Sequence, residues 1–225
     1  MNNQNAILII VTGHSQLPDQ HPTGIWLEEY AVPAAMFRAN GYTVSVASIT
    51  GGAAPVDPRS LPDHPDADTR AALTELQHTR PLSDVDVAEF TAVFFPGGHG
   101  TMFDLPDSHQ VSQTIVNFLE SGRVVGAVCH GPAALVGASF GDGTPVVKGR
   151  KLTSFTDAEE RAAQLDTVMP FLLQSRLCEL GAEFETRPNW QDHVVVDGKL
   201  ITGQNPQSSA STARAMLAAI QETTL

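Results

Sequence analysis

Six short apolar runs recur along the chain, each bounded by turn residues: AILIIV (6–11), TVSVASI (43–49), TAVFFP (91–96), VVGAVC (124–129), KLTSF (151–155) and HVVVD (193–197). Runs of this length and apolar density predict strands buried on both faces of a parallel sheet. Between them, apolar residues spaced three and four apart predict helices near 26–39, 108–121, 131–138, 158–163, 167–180 and 207–222. The alternation predicts an α/β fold, a doubly wound sheet covered by helices. Asp197-Gly198, between VVV and KLIT, predicts a tight hairpin turn.

The 225 residues suffice for a single domain over 1–225. The stretch from Gly51 to Asp86 is rich in Pro, Asp and Gly, with a short helix predicted at Thr69–His78, and resembles an interdomain linker. It is read instead as a long excursion over the sheet, about 51–86, because TAVFFPGG follows directly and neither flank closes a core alone.

A formal net charge of −12 with scattered Lys and Arg leaves no face able to neutralise a run of phosphates, so no nucleic-acid partner is expected. The opening MNNQNAILIIVTGH lacks a basic leader and its apolar run is too short to cross a bilayer, which predicts no membrane partner and a cytoplasmic location. Cys129 and Cys178 are the only cysteines, so neither a disulfide framework nor a zinc cluster is expected.

The most informative stretch is VVGAVCHGPAALV. A buried strand reaches Val128 and small residues then open a helix, which puts Cys129 on a sharp turn, a thiol version of the nucleophile elbow. Such a turn presents its side chain at the carboxyl end of the sheet, where open α/β folds bind ligands. A helix amino terminus and a neighbouring His130 imidazolium would favour thiolate over thiol. Cys178 falls on the apolar face of LLQSRLCEL and is expected to be a buried structural thiol.

A second glycine turn, FFPGGHGTMFDLP, ends the preceding strand, and the N–H groups of Gly97 and Gly98 are candidates for an oxyanion site beside Cys129. His99 is a candidate substrate contact, the alternative being a solvated loop histidine. An imidazole beside a nucleophile is generally oriented by a carboxylate; Asp157, Glu159 and Glu160 all follow KLTSF, and spacing does not choose among them. Glu28 and Glu29 fall on different faces of a helix, one toward the core and one toward water, and a buried carboxyl there would have a raised pKa. GGHG lacks the G-x-G-x-x-G spacing of a dinucleotide turn, so no cofactor is expected.

Through TGIWLEEYAVP, FFPGGHGTMFDLPD, AVCHGPAAL, KLTSFTDAEE and VVVDGKLITGQNPQSS the chain resembles the ThiJ/PfpI superfamily. Within it the resemblance is to the branch of small heat-inducible chaperones that act as glutathione-independent glyoxalase III. It implies a flavodoxin-like three-layer sandwich with a mostly parallel central sheet and helices on both faces, and commonly a homodimer. It implies Cys129 as nucleophile, His130 as its partner, Glu29 as the acid bonded to the thiol, and Glu160 as the acid of the triad, with Asp157 the alternative. The backbones of Gly98 and His130 match the family's oxyanion hole, and Gly131 follows in the same turn. The implied reaction converts a small 2-oxoaldehyde to a hydroxy acid; a holdase that binds unfolded proteins and a cysteine hydrolase are the alternatives. Some larger relatives bind a metal through two His and a carboxylate, and no equivalent set is evident in the sequence.

Overall fold

A computed structural model of the chain describes residues 5–222. In chain order the elements are β1 (Ala6–Val11), α1 (Leu27–Ala39), β2 (Thr43–Ser48), α2 (Ala67–Leu76), β3 (Arg80–Pro81), β4 (Ala92–Phe95), α3 (Thr101–Asp104) and α4 (His109–Glu120). There follow β5 (Val124–Val128), β6 (Lys151–Leu152), α5 (Asp157–Ala162), α6 (Leu173–Glu179), β7 (Glu183–Phe184), β8 (Val194–Asp197), β9 (Leu200–Gly203) and α7 (Ser209–Gln221). The central sheet has the order β3-β2-β1-β4-β5-β9-β8 and is parallel except for β8, which returns antiparallel on β9 through the Asp197-Gly198 turn.

The period-two geometry of a strand divides its apolar residues between two cores. Along β1, Leu8 and Ile10 enter a core shared with Val93 and Phe95 of β4, Val125 of β5 and Val111, Ile115 and Phe118 of α4. Ile7, Ile9 and Val11 enter the opposite core, with Tyr30 and Phe37 of α1, Leu76 of α2 and Met216 and Ile220 of α7. This is why β1 is apolar at every position. The helices start where local chemistry starts them: Ser108 caps α4 by accepting the Val111 N–H, Asp66 caps α2, and Thr156 with Glu159 forms a capping box on α5.

Four expectations are corrected. KLTSF contributes only Lys151–Leu152, paired with β7 in a separate two-stranded sheet, because β9 already occupies the free side of β5. The segment after Cys129 is a five-residue 3₁₀ turn, Gly131–Leu135, pressed so closely on β4 that a Cβ at Gly131 would lie 2.1 Å from the Phe95 carbonyl oxygen. The helix predicted over 167–180 begins only at Leu173, since Pro170 disfavours helical backbone before it. Cys178 is exposed rather than buried: Leu173 and Leu177 point inward, and the next residue turns about 100° away from them toward water.

β1 and β4 lie at the point where the winding of the sheet reverses, and β5 is next to β4. Ligand crevices of open α/β sheets form at the carboxyl ends of such strands. The turns after β4 and β5 carry the glycines at Gly97 and Gly98 and the Cys129-His130 pair.

Candidate active site

Cys129 follows β5 with φ of 59°, a left-handed backbone uncommon for a residue with a Cβ. Its conformation is held from both sides: its N–H donates to the Gly203 carbonyl at 2.9 Å and its carbonyl accepts the Phe155 N–H at 2.8 Å. Such over-determined strain, on the order of 1–3 kcal/mol, is what an elbow needs to turn one side chain out of a sheet. Cys129 lines a cavity of about 210 Å³ together with Trp26, Arg59, Gly98, His130, Phe155 and Trp190.

His130 is buried, and its ring bridges Cys129 and Glu160. Nδ1 lies 3.3 Å from Cys129 Sγ, and Nε2 lies 2.7 Å from Glu160 Oε2. An ionised carboxylate only accepts, so Nε2 carries a proton toward Glu160, and in the neutral ring the Nδ1 lone pair faces the sulfur. His99, expected as a substrate contact or a solvated loop residue, is buried and gives its Nε2–H to Glu160 Oε1 at 2.9 Å. The two imidazoles lie 4.2 Å apart, centroid to centroid. Burial alone would raise the Glu160 carboxyl; the charge and hydrogen bond of His130, with the hydrogen bond of His99, hold it well below the usual carboxylate range. Burial, followed by the His130 charge, lowers His99 to about 4, so its ring is neutral near pH 7.

The three acidic candidates on α5 separate completely. Glu160 meets both imidazoles. Asp157 accepts from the Ser175 hydroxyl and N–H, and its N–H bonds Gln174, so it ties α5 to α6. Glu159 is buried and accepts five hydrogen bonds, from the N–H and hydroxyl of Thr156, the Trp190 N–H and the side-chain amides of Gln204 and Asn205.

Glu28 and Glu29 divide as expected, Glu28 toward water and Glu29 fully into the core. Glu29 Oε2 accepts the Gly97 N–H at 2.7 Å, and Oε1 is buried without a hydrogen-bond partner. Burial raises the carboxyl to about 8, against the opposing effects of Cys129 and Gly97. Burial and then the nearby Glu29 charge push the Cys129 thiol up as well. The expectation of a thiol lowered by a helix terminus is therefore corrected: a single 3₁₀ turn replaces the helix, and a carboxyl sits beside the sulfur. Sulfur and carboxyl compete for one proton, and with that proton on Glu29 the carboxyl becomes a donor toward Cys129.

The glycines also divide. The Gly97 N–H is taken by Glu29, which removes it from the oxyanion candidates, and a Cβ at Gly97 would lie 2.6 Å from the Glu29 carboxylate and from the His130 nitrogen. Gly131 packs on Phe95 and does not reach the cavity. Gly98 lines the cavity with φ of 102°, and among the described residues the N–H groups of Gly98 and His130 bond to no oxygen. These two donors match the pair needed to hold an oxyanion on a carbon attached to Cys129.

Two features were invisible in the sequence. The excursion over 51–86 returns to the site and delivers Arg59, held by Asp57, to His99. Trp190, in a loop with no local signal, stands 5.5 Å from the Phe155 ring at the cavity. His99, His130 and Glu160 also bring one ligating atom each within 4.8 Å of one another. In the hydrogen-bonded arrangement both Nε2 atoms present protons to Glu160, so a cation and this network exclude each other.

The DJ-1/PfpI family model matches residues 23–219. The chain is 30% identical over 231 residues to Glyoxalase 3 of Candida albicans, covering 96% of this chain and 98% of that one. The crystal structure of glyoxalase III from Candida albicans superposes with a TM-score of 0.88 at 29% identity, covering 97% of this chain and 98% of the other. Rapid Encystment Protein 24 kDa of Francisella tularensis superposes with a TM-score of 0.92 at 30% identity, over 96% of this chain and 99% of that chain. With a sheet order, an elbow cysteine and matches that run nearly end to end, the chain belongs to the DJ-1/PfpI family.

Proposed function

We propose that the protein is a glutathione-independent, glyoxalase III-like enzyme that converts methylglyoxal or glyoxal to a 2-hydroxy acid through Cys129. The observation that carries this reading is the line of contacts from Cys129 Sγ through His130 to Glu160, which opens on a cavity of about 210 Å³ beside the N–H groups of Gly98 and His130, neither bonded to an oxygen among the described residues. Near-complete coverage of relatives named glyoxalases supports the same reaction.

In this mechanism the thiol proton passes to His130 Nδ1 as sulfur attacks the aldehyde carbon. The Gly98 and His130 N–H groups hold the oxyanion, and Glu29 supplies its proton to give a hemithioacetal, then regains one from the His130 cation, which frees Nδ1 to act as a base again. His130 then removes the proton from C1 and the electron pair forms an enediol; reprotonation at C2 and loss of the C1 hydroxyl proton leave a thioester. Water cleaves the carbon–sulfur bond, releasing the hydroxy acid and restoring the thiol. The sum is one aldehyde plus one water, an internal redox change with no external electron acceptor. Glu160 holds His130 and stabilises its cation, the part a carboxylate plays in other nucleophile–imidazole pairs.

A soluble cytoplasmic enzyme fits the two unpaired cysteines, and among the described residues no helix is long and apolar enough to cross a membrane. The holdase alternative calls for a broad exposed apolar surface. The exposed large hydrophobic residues among those described are Leu61, Trp190 and Val196, in three separate segments, which favours the enzyme. A panel of 2-oxoaldehydes, amides and peptides, assayed without glutathione, tests the reaction class. Turnover confined to 2-oxoaldehydes is expected, and turnover confined to amides or peptides would replace this reading with a hydrolase.

A further inference from the structure

We propose that Arg59 is a positioning residue that fixes the proton on His99 and, through it, the aim of the Glu160 carboxylate. Arg59 sits in a short 3₁₀ turn, Pro58–Ser60, of the excursion. Its backbone N–H, Nε and Nη2 all donate to Asp57, at 3.0, 2.9 and 2.6 Å. Asp57 is fully buried and also accepts the Thr23 hydroxyl at 3.1 Å, so the anchor is rigid. From this anchor Nη2 reaches His99 Nδ1 at 3.2 Å.

A guanidinium has donors only, so the Nδ1 it faces must carry a lone pair, and the proton of a neutral imidazole is then on Nε2. That proton points at Glu160 Oε1, 2.9 Å away, while Oε2 receives the His130 N–H at 2.7 Å. Glu160 thus takes one N–H on each oxygen, and the plane of its carboxylate is set by two rings. Without Arg59 the His99 proton is free to occupy Nδ1. The Nε2 lone pair then faces Oε1, the two repel, and Glu160 loses one of the two contacts that aim it at His130. The charged and titratable groups that act on His99 are Arg59, Glu160 and His130, and they come from three different segments. The consequence for turnover rests on the role of His130 proposed above.

Arg59 also lines the cavity, which makes direct contact with substrate the competing role. Nitrogen-15 spectra of the histidine rings in the free enzyme, combined with steady-state kinetics, separate the two. In wild type, His99 is expected to show a bare Nδ1 and a protonated Nε2. In Arg59→Ala the two signals are expected to move toward each other, and kcat to fall about tenfold to a hundredfold with KM little changed, the scale seen when outer-shell partners are lost. Added guanidinium should restore part of kcat. Arg59→Lys, which keeps the charge without the fork that spans Asp57 and His99, should move in the same direction and serves if the alanine variant does not fold. Unchanged His99 signals in the variant, or a raised KM with kcat intact, would overturn the proposal. The ring signals report proton placement whatever the substrate is. A wild type that shows them without 2-oxoaldehyde turnover would therefore contradict the proposed function and leave the role of Arg59 on His99 standing.

Discussion

Glu159 and Glu160 are consecutive and both buried on α5, yet Glu159 receives five hydrogen bonds from structural donors and Glu160 receives two from imidazoles. One turn of helix therefore holds two carboxylates with different tasks. Glu160→Gln should fold and lose kcat on the order of a thousandfold or more, as when the carboxylate of a nucleophile–imidazole–acid set becomes an amide. Glu159→Ala should cost about 3 kcal/mol or more of stability, because it strands the Trp190 N–H and the Gln204 and Asn205 amides. Kinetics and chemical denaturation on both variants check the division, and a Glu160→Gln enzyme with near-normal kcat would contradict it.

Glu29 governs the alkaline side of the pH response. Its carboxyl is raised to about 8, so it holds a proton below that pH and gains a negative charge beside Cys129 above it. Activity should fall as pH rises through about 8, and Glu29→Gln, which cannot ionise, should lack that limb. The same shift acts on folding. A group whose folded pKa lies above its unfolded value of 4.5 gives stability that is fully present below that value. That stability is lost as pH rises through about 8, and Glu29→Gln should flatten the decline. Denaturation midpoints across this range check the sign.

Gly98 tests the fit of the second glycine turn. A Cβ there would lie 2.2 Å from the Gly24 carbonyl oxygen, on backbone with φ of 102°. Gly98→Ala should be destabilised by several kcal/mol, roughly, and should lose activity with the oxyanion N–H displaced. Gly41 has a similar φ of 85° but open space around its Cβ position, so Gly41→Ala should cost only about 1 kcal/mol and leave kcat intact. Equal losses in the two variants would show that strain alone, and not the close approach to Gly24, decides the cost.

The sheet was legible because its strands bury both faces, which writes continuous apolar runs into β1, β4 and β5. KLTSF has the same local character, and only competition with β9 for the side of β5 excludes it from the central sheet, a tertiary fact with no local trace. Cys129, His130 and Glu29 were legible because elbow, imidazole and carboxyl fall inside recognisable stretches. The choice of Glu160 over Asp157 and Glu159 depended on which way each side chain leaves one short helix. The roles of Asp57 and Arg59 were hidden because they reach the site by folding back across about 40 residues of chain before the β4 turn. Such closure costs little in entropy relative to its length and leaves no periodicity to read.

The central claim is that Cys129 forms a covalent adduct with a 2-oxoaldehyde and that no external thiol takes part. The direct test is proton NMR of methylglyoxal incubated with purified protein in glutathione-free buffer, wild type beside Cys129→Ser. The account predicts lactate from the wild type, and loss of at least about a thousandfold in rate for the serine variant, whose hydroxyl is far less nucleophilic at neutral pH. Lactate formed by both proteins at similar rates, or by neither, would contradict it.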